Sequence, residues 1–522
     1  MKRIFSGKLN NDTGYLVFYL ILLFFVISKL KFLNLPFYWD EAWVYGNAIT
    51  QFINEGMHFY SHESTIELTR GHPLMFYILA FLWGKVFGGS LVSLHLFALF
   101  ISVGLLLFIF YKLKDILSIN ALLICIAFLS FNELFFTQAS LLLPEVMLGS
   151  FCLFAFYFAL TNKWQYYILF YGLAMLVKES ALVLFPFILL SILYDDYTEK
   201  KISYRRYLLA SIPLVFILGH FIQQKISLGW YLFPAHVGHI DLNLRSVSNK
   251  FSQYYRTIFD ARYLFVFSLL FIGALCKLLK LQNPHDKRIN TYIKVVIFAI
   301  ILFLGFNIPH KNVFGPGFIL MITIGIGLLH LKYKSALQKK FICIGWFFIL
   351  GYLLFSAANF YSVRYTIIII IFYSIIFSFV LNELMKVYNW KIQYVLIAIM
   401  LIMTLGRNQK REFGDTDTGY ADVIKNHKSL VKYLNDNVDK DVPIEANFIE
   451  RAILTNANCR YVKEGQEFLD VESFRKSDKD VWILSNLELS LETHRKFIDK
   501  KVWEKVKTIK NRKSICEIYM KK

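Results

Sequence analysis

The sequence offers little for a metal centre or a disulfide framework. Its six cysteines are scattered, four of them in or beside apolar runs, and no CxxC pair or metal-ligand spacing occurs. This excludes the cysteine-based zinc and redox sites that such spacings indicate. Cys459 and Cys516 fall in a polar C-terminal stretch, where they could pair if that stretch faces an oxidising compartment. From the sequence, the pairing stays open.

Two further features are missing. No small-x-small cleavage site follows the first apolar run, Tyr15–Leu30, so this run is predicted to remain as an uncleaved helix with a cytoplasmic N-terminus. The chain also shows no convincing internal repeat. Many transporters are built from such repeats, so their absence disfavours a transporter.

Apolar residues, in contrast, are abundant. The chain is 57% hydrophobic, whereas soluble domains have roughly 45–50% apolar residues. Several segments approach the ~20 apolar residues needed to cross a bilayer. The formal net charge of +20 could suggest a nucleic-acid partner, but the basic residues lie mainly in short loops, as the positive-inside rule requires. The sequence therefore predicts an all-α polytopic membrane protein that does not bind nucleic acid.

About thirteen membrane-spanning helices are predicted, each near the length that a bilayer requires. Because this number is odd, the C-terminus is predicted on the outer side. The long polar loop over 225–262 is predicted to be functional because loops of this length in compact proteins usually are. The predicted spans cover residues 15–30, 91–111, 118–136, 146–160, 166–177, 181–194, 207–223, 263–280, 291–308, 313–331, 341–357, 365–384 and 391–405.

Two shorter amphipathic segments after the first span are predicted to lie along the interface. Asp40–Gly56 has apolar residues at helical spacing, and Asp40 is placed to cap its first turn. Leu74–Phe87 would be only about 21 Å long, which is too short to span comfortably. Both segments place polar residues at the predicted outer membrane boundary.

The composition changes near residue 406. Residues 1–405 are predicted to form the membrane domain, and residues 406–522 a small extracytoplasmic α/β domain. Within it, helices are predicted over 421–437 and 491–500, and strands over 442–447, 481–485 and 514–519.

Acidic and basic side chains from many separate segments are predicted to share the outer face. A carboxylate there could abstract a proton from an acceptor hydroxyl, while Lys or Arg donors hold a phosphate leaving group. The outer compartment lacks nucleotide sugars, so the sugar must arrive already activated. A sugar linked to a polyprenyl phosphate meets this need. These side chains are Asp40, Glu41, Arg70, His72, Lys85, Glu145, Lys178, Glu179 and Arg364.

A series of motifs in the same order resembles the glycosyltransferase C superfamily, and within it the branch of protein O-mannosyltransferases and aminoarabinose lipid A transferases. The resemblance covers roughly residues 15–400. The motifs are Trp39-Asp-Glu-Ala-Trp-Val-Tyr45, Gly71-His-Pro-Leu-Met-Phe-Tyr-Ile-Leu79, Gln138…Pro144-Glu145, Leu176-Val-Lys-Glu-Ser180 and Arg364-Tyr365.

The resemblance implies a role for each matching position. Asp40 would be the general base, with Glu41 shaping the site, and Glu145 would be the acid that follows the third span. The family more often has Asp at this position, Pro where Leu74 stands, and Gly where Glu179 stands. In full, the implied catalytic residues are Asp40, Glu41 and Glu145, the donor-phosphate ligands Lys85, Arg70, Arg364 and Lys178, and the pocket residues Tyr45, His72 and Tyr365.

Structural roles remain open for several of these residues. Asp40 could serve only as a helix cap, and Glu41 could serve only to stabilise the first turn by interaction with the helix dipole. Lys85 could extend to lipid headgroups, and Lys178 could anchor a helix end. His236 and His239 could suggest a metal, but the sequence offers no third ligand. No cofactor is predicted; a divalent metal is possible but not indicated.

The predicted function is transfer of a sugar, with inversion, from a polyprenyl-phosphate donor to a hydroxyl or phosphate acceptor. The acceptor could be a lipid, a glycan or a protein, and the enzyme is predicted in a bacterial inner membrane with its site on the extracytoplasmic side. The alternatives are a transporter or flippase of lipid-linked sugars, a glycan polymerase or ligase, and a membrane-anchored sensor.

Overall fold

The structure, a computed structural model, describes residues 11–259, 323, 326–327, 330, 333, 335–385, 414–473, 479–487, 491–496, 498–499 and 501–522. The predicted spans over 263–280, 291–308 and 391–405, most of 313–331, and the predicted domain boundary at residues 405 and 406 lie outside the described residues.

The described residues are mostly helical. The α-helices are α1 (Asn11–Leu30), α2 (Gly46–Glu55), α3 (Glu63–Thr69), α4 (Met75–Phe87), α5 (Leu91–Leu113), α6 (Ile119–Phe131), α7 (Glu133–Gln138), α8 (Glu145–Leu160), α9 (Trp164–Val177), α10 (Phe185–Glu199), α11 (Tyr204–Ser211), α12 (Leu214–Leu228), α13 (Pro234–Val237), α14 (Leu244–Phe259), α15 (Ala336–Ala357), α16 (Ile367–Met385), α17 (Tyr420–Asn437), α18 (Phe448–Thr455) and α19 (Leu491–Arg495). A π-helical turn covers Glu41–Tyr45, and 3-10 turns cover Glu179–Leu184, Val363–Thr366 and Ala457–Cys459.

Five helical segments of the described chain are long and apolar enough to cross a membrane, namely Asp12–Leu30, Leu91–Leu113, Glu179–Glu199, Tyr204–Leu228 and Ala336–Ala357. Shorter apolar helices include Ile119–Phe131, Glu145–Leu160 and Trp164–Val177. A polytopic membrane protein is therefore confirmed as the class, whereas the total of about thirteen spans is not.

Two predicted segments differ in detail. The single span predicted over 118–136 is wrong, because the helix is interrupted at Asn132. This residue is extended, and its side-chain oxygen accepts a hydrogen bond from Phe135 N at 3.1 Å, which starts helix α7. The predicted loop over 225–262 contains the helices α13 and α14.

The chain divides into two compact units that alternate along the sequence. The first unit comprises Met1–Phe24, Val103–Phe131 and Glu145–Ile402, and the second comprises Phe25–Ser102, Asn132–Pro144 and Met403–Lys522.

Close helix packing organises the first unit. Gly149 lies so near helix α16 that an added Cβ would be 2.6 Å from Ile371 Cδ1 and 3.6 Å from Ile368 Cα. Glycine at this position lets the backbones of helices α8 and α16 approach. Glu145 precedes Gly149 by one helical turn, and Arg364 precedes Ile368 by one turn, so the same contact brings these two side chains together.

The second unit contains a five-stranded sheet in the order β2-β1-β3-β5-β4. Its strands are β1 (Ile444–Ala446), β2 (Val471–Ser473), β3 (Val481–Ser485), β4 (Trp503–Asn511) and β5 (Ser514–Lys521). Strand β1 runs parallel to β2 and β3, whereas β5 runs antiparallel to β3 and β4. A small C-terminal α/β element is thus confirmed. The predicted helix over 491–500 is shorter, ending at Arg495.

Candidate active site

The predicted site residues fall into two groups, and each group belongs to one unit. Asp40, Glu41, Tyr45, Arg70, His72 and Lys85 lie in the second unit, whereas Glu145, Lys178, Arg364 and Tyr365 lie in the first.

The acidic pair begins a strained turn. Trp39, which precedes Asp40, has a φ of +54°, a left-handed conformation that is rare for a bulky side chain. The chain then enters the π-helical turn Glu41–Tyr45, a feature often found at functional sites. Asp40 is half-buried, and its side chain makes no capping hydrogen bond to this fully described turn. The prediction that Asp40 caps the helix is therefore wrong, because the π-helical turn replaces a regular first turn.

Glu41 is completely buried and fully engaged. Its Oε1 accepts hydrogen bonds from His95 Nε2 at 2.9 Å and from Leu142 N at 2.6 Å, and its Oε2 accepts one from Tyr38 N at 3.3 Å. A carboxylate held by three donors positions the backbone around it. The geometry therefore favours the site-shaping role for Glu41.

His95 is the partner that sequence reasoning missed. Its Nδ1 lies 2.7 Å from Leu33 O, and its Nε2 lies 2.9 Å from Glu41 Oε1. Leu33 O only accepts hydrogen bonds, so Nδ1 carries a proton; an ionised Glu41 carboxylate also only accepts, and Nε2 then donates to it. His95 therefore bridges the Leu33 carbonyl and the Glu41 side chain. No local motif marks it, because it lies 54 residues from Glu41.

The C-terminal part of the second unit packs against the acidic turn. The Phe448 ring meets the rings of Trp39 and Trp43 edge-on, with centroids 5.1 and 5.8 Å apart. Tyr420 stacks on Tyr38 at 5.9 Å. Cys459 Sγ donates to Ala42 O at 3.2 Å. Contacts with these C-terminal residues therefore stabilise the strained backbone at Trp39.

A second left-handed pair precedes the His-Pro motif. Arg70 has a φ of +54° and Gly71 one of +69°. The Arg70 guanidinium lies 4.1 Å from the centroid of the Trp43 ring, within cation–π range. His72 is half-buried, and its backbone N donates to Thr69 O at 3.1 Å. Arg70 therefore lies beside the same aromatic residues that surround the acidic turn.

Lys85 and Tyr45 have clear structural contacts. Lys85 is exposed, and its Nζ donates to Ile53 O at 2.8 Å near the end of helix α2. A cation there is favourable because helix C-termini carry partial negative charge. Tyr45 is buried and stacks on Tyr77 at 5.6 Å. The predicted roles in phosphate binding and in the substrate pocket stay predictions for these two residues.

In the first unit the structure brings four predicted residues together. Glu145 Oε1 lies 3.2 Å from Lys178 Nζ and 3.2 Å from Arg364 Nε. Lys178 Nζ also lies 4.3 Å from the centroid of the Tyr365 ring. Glu145 begins helix α8, Lys178 follows helix α9, and Arg364 lies in the 3-10 turn before helix α16. We call this group the Glu145 cluster.

The Glu145 cluster is buried and carries an excess of positive charge. Its three ionised side chains are all less than one-tenth exposed. Burial alone would lower the pKa of Lys178, but Tyr365 and Glu145 outweigh it and hold the pKa above its usual range. Glu145 Oε2 is buried and has no hydrogen-bond partner among the described residues. The two cations of the Glu145 cluster are the kind of side chain that holds an anion with several oxygens.

Tyr254 supports the turn that carries Arg364, and sequence reasoning gave it no specific role. Its hydroxyl accepts a hydrogen bond from Ser362 N at 3.0 Å and donates to Phe360 O at 3.3 Å. Lys250 Nζ donates to Asn359 O at 2.9 Å. Helix α14 thus fixes the backbone just before Arg364. Its strong amphipathic pattern could have indicated this packing.

The cysteines of the C-terminal stretch do not pair here. Cys459 and Cys516 are both buried free thiols. Burial raises the pKa of Cys459 to about 12, so this thiol stays protonated. The His236 and His239 rings contact Phe233 and Phe360, at centroid distances of 5.2 and 5.3 Å.

No family model matches the sequence, and no curated protein matches it. Several solved structures are similar to the chain, and two of them are described here. One is ArnT from Cupriavidus metallidurans bound to undecaprenyl phosphate, with 11% identity, a TM-score of 0.40, and coverage of 97% of this chain and 98% of that one. The other is the Archaeoglobus fulgidus oligosaccharyltransferase in complex with zinc and sulfate, with 13% identity, a TM-score of 0.44, and coverage of 90% and 67%.

Proposed function

We propose that this chain is a membrane glycosyltransferase that moves a sugar from a polyprenyl-phosphate donor to a hydroxyl or phosphate acceptor on the outer face of the membrane. The observation that carries the proposal is the Glu145 cluster. It places Lys178 and Arg364 on one carboxylate oxygen in a buried setting, and two cations in such a setting suit a phosphate leaving group.

The acidic turn supplies the second part of the proposed chemistry. Three hydrogen bonds hold the Glu41 carboxylate, and Asp40 is half-buried at the start of the π-helical turn. Strained backbone held by the surrounding structure is characteristic of active sites, and Trp39 provides it directly before Asp40. These features support Asp40 as the general base and Glu41 as a positioning residue.

In the proposed reaction the Asp40 carboxylate accepts the proton of the acceptor hydroxyl. The acceptor oxygen attacks the anomeric carbon while the bond from that carbon to the phosphate oxygen breaks. Lys178 and Arg364 stabilise the charge that develops on the phosphate. A single displacement inverts the configuration at the anomeric carbon.

Measurement of released polyprenyl phosphate tests this proposal. Purified full-length protein would be given a panel of polyprenyl-phosphate sugars, with glycan, lipid and peptide acceptors. We expect release of polyprenyl phosphate together with a glycosidic product of inverted configuration. Movement of intact lipid-linked sugar across a liposome membrane, without release, would instead identify a flippase.

A further inference from the structure

We propose that His95 is a positioning residue for sugar transfer: it holds the Glu41 carboxylate, and through Glu41 it fixes the turn that presents Asp40 to the acceptor hydroxyl. The inference rests on the proposed function, in which Asp40 is the general base. It gives a consequence for catalysis to a histidine that lies in the first turn of the apolar helix α5.

The turn that carries Asp40 is closed by Glu41 in two ways. The backbone N–H of Glu41 donates to Tyr38 O at 3.1 Å, and Glu41 Oε2 accepts a hydrogen bond from Tyr38 N at 3.3 Å. Trp39 and Asp40 lie between these two residues, and the left-handed backbone of Trp39 persists only where the surrounding structure fixes it. The position of Asp40 therefore depends on where the Glu41 carboxylate is held.

His95 connects that carboxylate to helix α5. Its Nε2 lies 2.9 Å from Glu41 Oε1, and its Nδ1 lies 2.7 Å from Leu33 O. The side chains of His95 and Glu41 are both buried, and a buried polar group that loses its partner pays the full cost of desolvation. The ring is therefore held at both nitrogens, and it fixes Glu41 relative to helix α5 and to the segment that leads into the acidic turn.

Phe37 adds a packing contact to these hydrogen bonds. Its ring meets the His95 ring edge-on, with the centroids 5.8 Å apart. Phe37 also lies close to Gly46, where an added Cβ would be 2.7 Å from the Phe37 ring and 2.7 Å from Glu41 O. The side chain at position 95 is thus packed against the same group of residues that determines the path of the acidic turn.

This arrangement has a consequence for the rate of transfer. A general base must lie about 2.6–3.2 Å from the atom whose proton it accepts, and a displacement of about 1 Å can lower a rate about 10²-fold. Loss of the contact between His95 and Glu41 should therefore lower kcat, because Asp40 moves with the turn. The donor KM should change little, because the proposed reaction assigns the phosphate to Lys178 and Arg364 in the first unit.

Two amide substitutions at position 95 test the inference. The amide nitrogen of Gln reaches about as far as Nε2 of histidine, so His95→Gln can still donate to Glu41. The amide nitrogen of Asn reaches only about as far as Nδ1, so His95→Asn loses this contact. On the full-length protein, kcat and donor KM are measured together with hydrogen exchange over residues 37–45. We expect His95→Asn to lower kcat about 10–10²-fold at nearly unchanged donor KM and to speed exchange, and His95→Gln to restore most of the turnover.

His58→Asn is the control, because His58 is an exposed histidine of the same unit and its replacement should leave kcat and donor KM unchanged. Equal kcat values for His95→Asn and His95→Gln, both high or both low, would overturn the inference. If His95→Asn does not fold, His95→Gln decides alone: a kcat within about tenfold of the wild type supports the inference, and a larger loss overturns it. A wild type that releases no polyprenyl phosphate would instead contradict the proposed function itself.

Discussion

The Glu41 carboxylate accepts a hydrogen bond of 2.6 Å from the backbone N–H of Leu142, 101 residues further along the chain. Lys29 Nζ donates to Phe136 O at 2.6 Å. The segment that ends at Pro144 is therefore held through a carbonyl by Lys29 and through an amide by Glu41. One buried carboxylate therefore orders both the acidic turn and the segment that contains Leu142.

Replacement of Glu41 should destabilise the fold more than it changes the chemistry. Glu41→Ala leaves the buried His95 ring and the buried Leu142 N–H without their acceptor, which should cost about 3–5 kcal/mol. Thermal unfolding of the purified protein measures this. Glu55→Gln is the matched control, because Glu55 is exposed on helix α2 and its replacement should change stability by less than about 0.5 kcal/mol. Equal stability of the two variants would show that the Glu41 network does not hold the turn.

Asp40→Asn should abolish transfer while the protein remains folded and inserted. The amide keeps the shape of the side chain but cannot accept a proton, so turnover should fall by about 10²–10⁴-fold. Turnover and donor binding are measured on the same preparation, and donor affinity should stay close to that of the wild type. A variant that retains most of its turnover would remove Asp40 from the role of general base.

Lys85→Ala should weaken donor use through binding if Lys85 contacts the lipid-linked phosphate as the family resemblance implies. The structure also gives Lys85 a second role, a hydrogen bond to Ile53 O at the end of helix α2. The two roles separate when the donor KM and the thermal unfolding temperature are measured together. A lower unfolding temperature with unchanged donor KM would assign Lys85 to the helix end alone.

Tyr254→Phe should lower donor affinity without touching a charged group. Loss of the hydroxyl leaves Ser362 N without its acceptor, which should cost about 1–3 kcal/mol and loosen the turn that carries Arg364. The donor KM and kcat are measured for the variant and the wild type, and we expect the change mainly in KM. Tyr231→Phe is the control, since Tyr231 is exposed in the same long segment. Matching kinetics in the two variants would contradict a positioning role for Tyr254.

The spacing of apolar residues along the sequence predicted those helices and strands whose buried positions recur periodically. Helix α4 was predicted over Leu74–Phe87 and occupies Met75–Phe87, and strand β3 occupies the predicted residues. Strand β4 was missed because it is an edge strand with mostly exposed, lysine-rich positions, so it lacks a buried face to mark it. Helix α3 was missed because its seven residues are too few for a clear period.

The sequence predicted which residues belong to the candidate site but not which of them contact one another. The motifs identified Glu145, Lys178, Arg364 and Tyr365 separately, and helix packing around Gly149 was needed to bring Glu145 and Arg364 together. The partners of Glu41 were not predictable in the same way. His95 lies within an apolar helix and Leu142 contributes a backbone amide, so neither carries a sequence signal.

The most direct test of the proposed function is the stoichiometry of transfer in wild type and Arg364→Gln. Arg364→Gln leaves the pair between Lys178 and Glu145 intact, so the variant should remain folded. We expect the wild type to release one polyprenyl phosphate for each glycosidic bond formed, and the variant to need much more donor for the same rate. Full donor affinity in Arg364→Gln, or glycoside formation without release of polyprenyl phosphate, would contradict the proposal.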